Sequence, residues 1–268
     1  MPKNEARSAL ATRSPGQFSE HQESYPSAKK YQHLESIRTA IQALRVIDGQ
    51  VFELRALEVP TRYRPVTVAG WFDDYEAMAQ AAVELGLRRA PAVYVTLNPV
   101  SPQLLGRACN HTVEGPRATT ADHDVVRRVW LPFDIDPVRP AYVSATPHQI
   151  EDARLRAIAV TEWMHTEFEL KPDLRGFSGN GYHLLYRLDE PNNAESTEYI
   201  KGLIETVADR FDDEEVKVDR TVFNASRIWK LYGTTVRKGE QLERLGMFHR
   251  RAELLSQEVM EKCSILTN

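Results

Sequence analysis

The stretch Trp130-Leu131-Pro132-Phe133-Asp134-Ile135-Asp136 decides how this chain is read. It is apolar and strand-like, yet it carries two carboxylates one residue apart. Side chains alternate along a strand, so residues i and i+2 emerge on the same face. Asp134 and Asp136 therefore stand side by side where the segment otherwise reads as sheet core. Unneutralised, they repel, and one of the pair has its pKa pushed up. A divalent cation removes the conflict, and hard oxygen ligands suit Mg²⁺ or Mn²⁺.

Working outward, Val216-Lys217-Val218-Asp219 is a short strand ending in a third acid. A turn or N-cap role is its ordinary reading. Delivered beside the first pair, Asp219 would complete a set able to hold two ions ~3.5–4 Å apart, as in-line phosphoryl transfer requires. Between these acids lies Arg175-Gly176-Phe177-Ser178-Gly179-Asn180-Gly181-Tyr182-His183. Asn180-Gly181 predicts a hairpin between strands 174–178 and 182–188. Gly179 and Gly181 permit close backbone approach, leaving the Ser178 hydroxyl and backbone N–H groups free to receive a phosphate. Further on, in Asn224-Ala225-Ser226-Arg227-Ile228-Trp229-Lys230-Leu231-Tyr232-Gly233-Thr234, Arg227 and Lys230 lie three apart. On a helical turn both reach one anion.

The rest of the chain predicts one continuous α+β domain over about 31–255. Residues 1 to about 30 are rich in Ser, Gln, Glu and Lys and read as a disordered or loosely attached tail. Leu34, Ile37, Ala40, Ile41 and Leu44 recur at helical spacing. Strands are expected at 50–57, 66–69, 92–97, 125–136 and 216–218. Helices are expected from Asp73/Asp74 to Leu85, from Pro147 to Glu167, and around Ile200–Phe211. Residues 98–124, with three prolines and two glycines, read as a long functional or disordered loop. Residues 256–268 read as a linker or tail.

Composition narrows the class. The 268 residues are 42% hydrophobic and 27% charged, the values of an ordinary globular protein. No apolar run approaches a membrane span and no apolar signal segment opens the chain. Cys109 and Cys263 are the only cysteines, which predicts a reducing, cytoplasmic setting without a disulfide framework. Together with His111 and His123 they fit no standard zinc spacing. Net charge is −4, but it is unevenly spread: Lys217 to Arg251 holds nine Lys/Arg against three acids, and Asp189 to Glu215 ten acids against two bases. Such segregation can create a local positive surface on a mildly acidic protein, although a solvated basic face is its ordinary reading.

The order Phe133-Asp134-Ile135-Asp136, Ser178-Gly-Asn-Gly-Tyr-His183, Val218-Asp219 and Asn224-Ala-Ser-Arg227 through Leu-Tyr-Gly-Thr234 resembles the motif series of the archaeo-eukaryotic primase superfamily. It is most similar to the primase-polymerase domains of phage, plasmid and other mobile-element replication proteins. The likeness covers about Val51 to Arg251, including Thr96-Leu-Asn-Pro-Val100 and Arg127-Arg-Val-Trp130. It implies a catalytic core related to the RNA-recognition (RRM-like) α/β sandwich, with a small N-terminal α/β module. It also implies that Asp134, Asp136 and Asp219 bind two Mg²⁺ or Mn²⁺ ions. Ser178, Asn180 and His183 would hold the triphosphate of an incoming NTP or dNTP, with Arg227 and Lys230 assisting. The expected activity is primer synthesis or extension on a single-stranded or primed DNA template. The alternatives are a two-metal nuclease and a non-catalytic nucleic-acid module. Many relatives carry a helicase, but no G-x-x-x-x-G-K-[ST] loop occurs here, so any motor would be another chain or a removed portion.

Overall fold

The structure, a computed structural model, describes residues 24–262. In chain order these form α1 (Ser24–Leu44), β1 (Phe52–Val59), β2 (Val66–Phe72), α2 (Tyr75–Leu87), β3 (Val93–Thr96), β4 (Val113–Glu114), β5 (Arg127–Pro137), α3 (Pro147–Phe168), β6 (Leu174–Phe177), β7 (Tyr182–Pro191), α4 (Ala194–Phe211), β8 (Val216–Val218), β9 (Ile228–Lys230), β10 (Thr235–Val236), β11 (Arg250–Arg251), β12 (Glu253–Leu255) and α5 (Gln257–Lys262). The fold is mixed α+β.

Two antiparallel five-stranded sheets organise it. The first runs β4-β2-β1-β3-β9 and the second β12-β6-β7-β5-β8, with β10 and β11 forming a separate pair. The second sheet is built mostly from one consecutive β-α-β-β-α-β stretch, β5-α3-β6-β7-α4-β8. Its apolar face is set by alternation: Phe133 meets Tyr186 edge-on at 5.7 Å, on the side where α3 and α4 pack. That leaves Asp134 and Asp136 on the opposite face, toward the first sheet. α2 lies against β1, β2 and β3, and α1 packs along α2. Ile37, Ala40, Ile41 and Leu44 of α1 are buried at the helical interval.

Capping fixes where the helices begin. Asp74 accepts from Glu76 and Ala77 N–H at the start of α2. Thr146 and Gln149 form a reciprocal capping box ahead of Pro147 in α3. Gly86 lies inside α2 rather than ending it.

Several expectations change. α1 begins at Ser24, inside the stretch read as tail, while residues 1–23 lie outside the described part. α5 follows Leu255 and buries Met260, so the expected linker is partly helix; residues 263–268, with Cys263, are again outside. The 98–124 stretch is ordered, not a free loop. Val100, Leu104, Ala108 and Val125 gather with Val51, Trp71 and Ala225 in a second small core, and β4 adds to the first sheet. Prolines and glycines here shape tight turns over an apolar patch, which masked the packing in the sequence. No helix among the described residues is long and apolar enough to cross a membrane. Cys109 is a free, exposed thiol.

Candidate functional site

Strand register builds the site. Asp134 of β5 lies directly opposite His183 of β7. On its other side, Ile135 pairs with Val218 of β8, and the Asp219 N–H continues that ladder by donating to the Asp134 carbonyl at 2.8 Å. His183, Asp134 and Asp219 thus form a row across three adjacent strands, where opposed Cβ atoms are about 4.5–5.5 Å apart. Asp136 is the next same-face residue along β5.

These residues line a cleft of about 320 Å³ between the two sheets. Its opposite wall is basic and aromatic: Arg227, Trp229, Lys230, Lys238 and Tyr94. Lys238 stands 5.8 Å from the Tyr94 ring centre. A volume at the low end of ligand sites, with charge of both signs, suits a small polar ligand.

The carboxylates are poorly satisfied by protein. Oδ1 of Asp136 and Oδ1 of Asp134 are both buried without a hydrogen bond. The nearest side-chain nitrogen to the latter is His183 Nε2, at a long 3.4 Å. Burial, reinforced by the Asp134 charge, raises the Asp136 pKa. Burial also acts to raise that of Asp134, but His183, Lys230 and Arg227 outweigh it and hold this acid ionised. Buried oxygens without donors are what a cation ligand looks like before the cation arrives. Asp219 is differently engaged: its Oδ1 accepts from the Thr221 N–H and hydroxyl at 2.8 and 2.7 Å. Among the described residues no three His, Cys, Asp or Glu side chains converge as a metal-ligating group. The donor set that fits a cation is therefore the Asp134–Asp136 pair, with Asp219 next in the row. Cys109, His111 and His123 gather no such set either.

His183 is held rigidly. The Trp229 indole N–H and His183 Nδ1 both lie 3.0 Å from the Tyr232 hydroxyl. An indole can only donate, so the hydroxyl accepts from Trp229 and keeps its own proton available for Nδ1. Where Nδ1 accepts that proton, the neutral imidazole carries its own on Nε2, 3.4 Å from Asp134 Oδ1. Burial lowers the His183 pKa, against the pull of Asp134, which favours this neutral form. The Trp229 ring packs on the imidazole with centroids 4.1 Å apart. Tyr232 reaches this position across Gly176, where a Cβ would come within 2.3 Å of its ring. Replacing Tyr232 with Phe strands Trp229 Nε1 and His183 Nδ1 in a buried site. Urea denaturation should show a loss of about 1–3 kcal/mol for each group left unpaired; unchanged stability would remove the hydroxyl from this account.

Ser178 and Asn180 do not reach the cleft. The hairpin loop has four residues, 178–181, and both side chains close it from inside. Ser178 Oγ accepts from Gly181 and Asn180 N–H, and Asn180 Oδ1 accepts from Ala145 N–H at 2.8 Å. Both are fully or almost fully buried. Positive φ falls on Gly179, at +97°. Arg227 and Lys230 do share the cleft, but just before and at the end of strand β9 rather than on a helix: Trp229 and Ile228 pair with Val95 and Thr96 of β3. An aromatic and a β-branched residue fit that pleated edge better than a helical turn.

Sequence reasoning passed over the groups that aim Arg227. Asp122 accepts from the Ser226 N–H and hydroxyl at 2.8 and 2.7 Å. Arg128, buried on β5, donates to the Phe223 carbonyl and to Thr197 Oγ1. Asn98 joins Ala225 O to Val129 N–H, at 2.9 Å each. The 221–227 loop is thus tied at three points, and Arg227 reaches the cleft with a buried Nε that has no partner. Asn224, Ala225 and Ser226 serve this clamp. Tyr94, Lys238 and Leu57 carry no local sequence signal at all.

Comparison with known protein families gives no matching family, and comparison with curated proteins gives no significant relative.

Proposed function

We propose that this chain is a metal-dependent nucleotidyltransferase of the primase-polymerase type, acting on a single-stranded or primed DNA template. The observation that carries the reading is one cleft holding two donor-free carboxylate oxygens opposite three cations, Arg227, Lys230 and Lys238. A site that needs both a cation and a polyanion has this composition; a simple binding surface has no use for the buried acids. The β-α-β-β-α-β stretch, with sheet order β8-β5-β7-β6, is the split β-α-β arrangement and is compatible with an RNA-recognition-like core. The four motifs in order add to this.

Asp134 and Asp136 would hold Mg²⁺ or Mn²⁺, with Asp219 beside them. Bound there, a divalent ion supplies charge neutralisation for an attacking hydroxyl and a departing pyrophosphate. Arg227, Lys230 and Lys238 receive the nucleotide phosphates, since the Ser178 and Asn180 side chains turn into their own loop. His183, its Nε2 3.4 Å from Asp134 Oδ1, helps to keep that carboxylate ionised. Catalysis rests on positioning and preorganised charge.

The test is incubation with primed and unprimed templates, labelled NTPs or dNTPs, and Mg²⁺ or Mn²⁺. Metal-dependent lengthening is the expected result. Shortening of the template would indicate a nuclease, and a mobility shift with neither would leave only a binding module.

A further inference from the structure

The basic stretch 217–251 offers less free charge than its composition suggests. Arg220 is paired with Asp209 and Asp212, and Arg251 with Glu253. Arg237 and Arg250 donate to backbone carbonyls of Ala90, Ala145 and Gly246. Lys230 and Lys238 line the cleft itself. A template needs other contacts outside the cleft, and the β1–β2 hairpin supplies a set.

Its tip is Pro60-Thr61-Arg62-Tyr63-Arg64-Pro65. Arg62, Tyr63 and Arg64 are all exposed, Tyr63 to 89%. Neither arginine has an ion-pair partner among the described residues. The tip is nonetheless shaped: Thr61 Oγ1 donates to the Arg64 carbonyl at 2.6 Å and lies 3.3 Å from the N–H groups of Tyr63 and Arg64. Prolines at both ends restrict the loop further. Arg62 stands 5.9 Å from the Tyr63 ring centre, and an exposed tyrosine on a braced turn flanked by two arginines without acid partners has no role in the core.

Position links the tip to the cleft. Leu57 lines the cleft wall, and Pro60 follows three residues later, so the loop leaves the sheet within about 10 Å of it. A bulge intervenes: Ala56 pairs with Val68 and Val59 with Val66, leaving Leu57 and Glu58 opposite Thr67 alone. Glu58 takes φ +53° there. Bulges re-aim strands beside functional sites. The same end of the sheet carries Arg89, close enough to Arg237 to lower its pKa further after burial, and Glu58 is an exposed acid against this positive edge.

We infer that the Arg62-Tyr63-Arg64 tip is a contact for single-stranded nucleic acid entering the cleft, with the arginines on phosphates and the Tyr63 ring stacked on a base. Alternating cations and an exposed aromatic are the chemistry that holds a single strand without sequence preference. The direction of entry rests on the proposed function; the contact itself does not.

Binding of a fluorescent oligothymidylate to the full chain, followed by anisotropy across about 50–200 mM salt, tests it. The Arg62→Ala/Arg64→Ala variant should flatten the slope of log K against log salt by about 1.4, since each single-strand phosphate contact contributes about 0.7. Tyr63→Ala should weaken binding roughly 5- to 150-fold, and Tyr63→Trp should restore it. Arg220→Ala and Arg251→Ala, which remove paired cations, should leave affinity near wild type. Tip variants that bind like wild type, affinity carried instead by Arg220 and Arg251, or capture of phosphatidylserine vesicles without oligonucleotide binding would each overturn the inference. Tip-dependent binding by a chain that never extends a primer would defeat the enzymatic reading alone; extension unaffected by the tip variants would defeat this one alone.

Discussion

Replacing Asp136 with Asn is expected to abolish nucleotide incorporation while making the metal-free protein more stable. Both halves follow from the same geometry. Asp136 is half-buried, with Oδ1 enclosed, beside ionised Asp134, so its charged form is disfavoured and its pKa is raised. An acid with a raised folded-state pKa favours folding at low pH, where it is protonated. That contribution is lost as pH rises from the ordinary carboxylate range through the raised value. Near neutrality the wild-type chain therefore carries a repulsion that Asn removes. Asp134 has the opposite sign, since its depressed pKa adds stability that disappears only on strong acidification. The metal-free wild type should lose stability across weakly acidic pH, and Asp136→Asn should not show that fall.

Divalent ions should reverse the ranking. A ligand at about 100 times its Kd stabilises the folded state by about 2.7 kcal/mol. For a chain of this size that is a rise of roughly 5–10 °C in Tm. The wild type should show it with Mn²⁺ or Mg²⁺, and Asp134→Asn and Asp136→Asn should not. Incorporation should fall roughly 10³-fold or more, because several kcal/mol of transition-state charge stabilisation depend on the ion and each 1.36 kcal/mol is about tenfold. A variant that keeps both its metal-induced rise in Tm and its incorporation rate would take Asp136 out of the site.

The sequence made the acids legible because a strand has a rigid two-residue period: once 130–136 is a strand, Asp134 and Asp136 must share a face. The neighbouring Asp219 was legible only as an acid ending a short strand; its place beside Asp134 was suggested by the motif order, and the ladder bond to the Asp134 carbonyl sets its backbone there. Side-chain roles within turns were not. Ser178 and Asn180 have the same hydroxyl and amide whether they meet a phosphate or close their own loop, and only the four-residue span of the hairpin decides for closure. β9 escaped notice because three residues show no period; it forms through pairing with β3, more than a hundred residues away in sequence. Tertiary placement also hid Tyr94, on β3, and Lys238, in the loop after β10, which line the cleft with the acids. What could be read locally concerns one wall of the cleft. The opposite wall is a product of topology.

The glycine facing Asp136 offers the most direct test of how tightly that wall is built. β7 continues its pairing with β5 toward Gly181, beyond Ile135 opposite Tyr182. A Cβ at Gly181 would sit 2.3 Å from the Ile135 carbonyl oxygen and 2.3 Å from Asp136 Oδ1. The carboxylate can swing away; the carbonyl belongs to the sheet and cannot. Gly181→Ala must therefore push β7 from β5 or displace Asp136, and overpacking of this kind costs about 3 kcal/mol at its upper end. Gly202, exposed on α4 with nothing within 4 Å of its would-be Cβ, is the matched control. There alanine should stabilise by about 0.5–1 kcal/mol through helix propensity. Urea denaturation of the two variants should thus move in opposite directions, and Gly181→Ala alone should blunt the rise in Tm with Mn²⁺. Equal stability for Gly181→Ala and the wild type would mean the strands part easily at this point, and the close approach that buries Asp136 would no longer explain its unsatisfied oxygen.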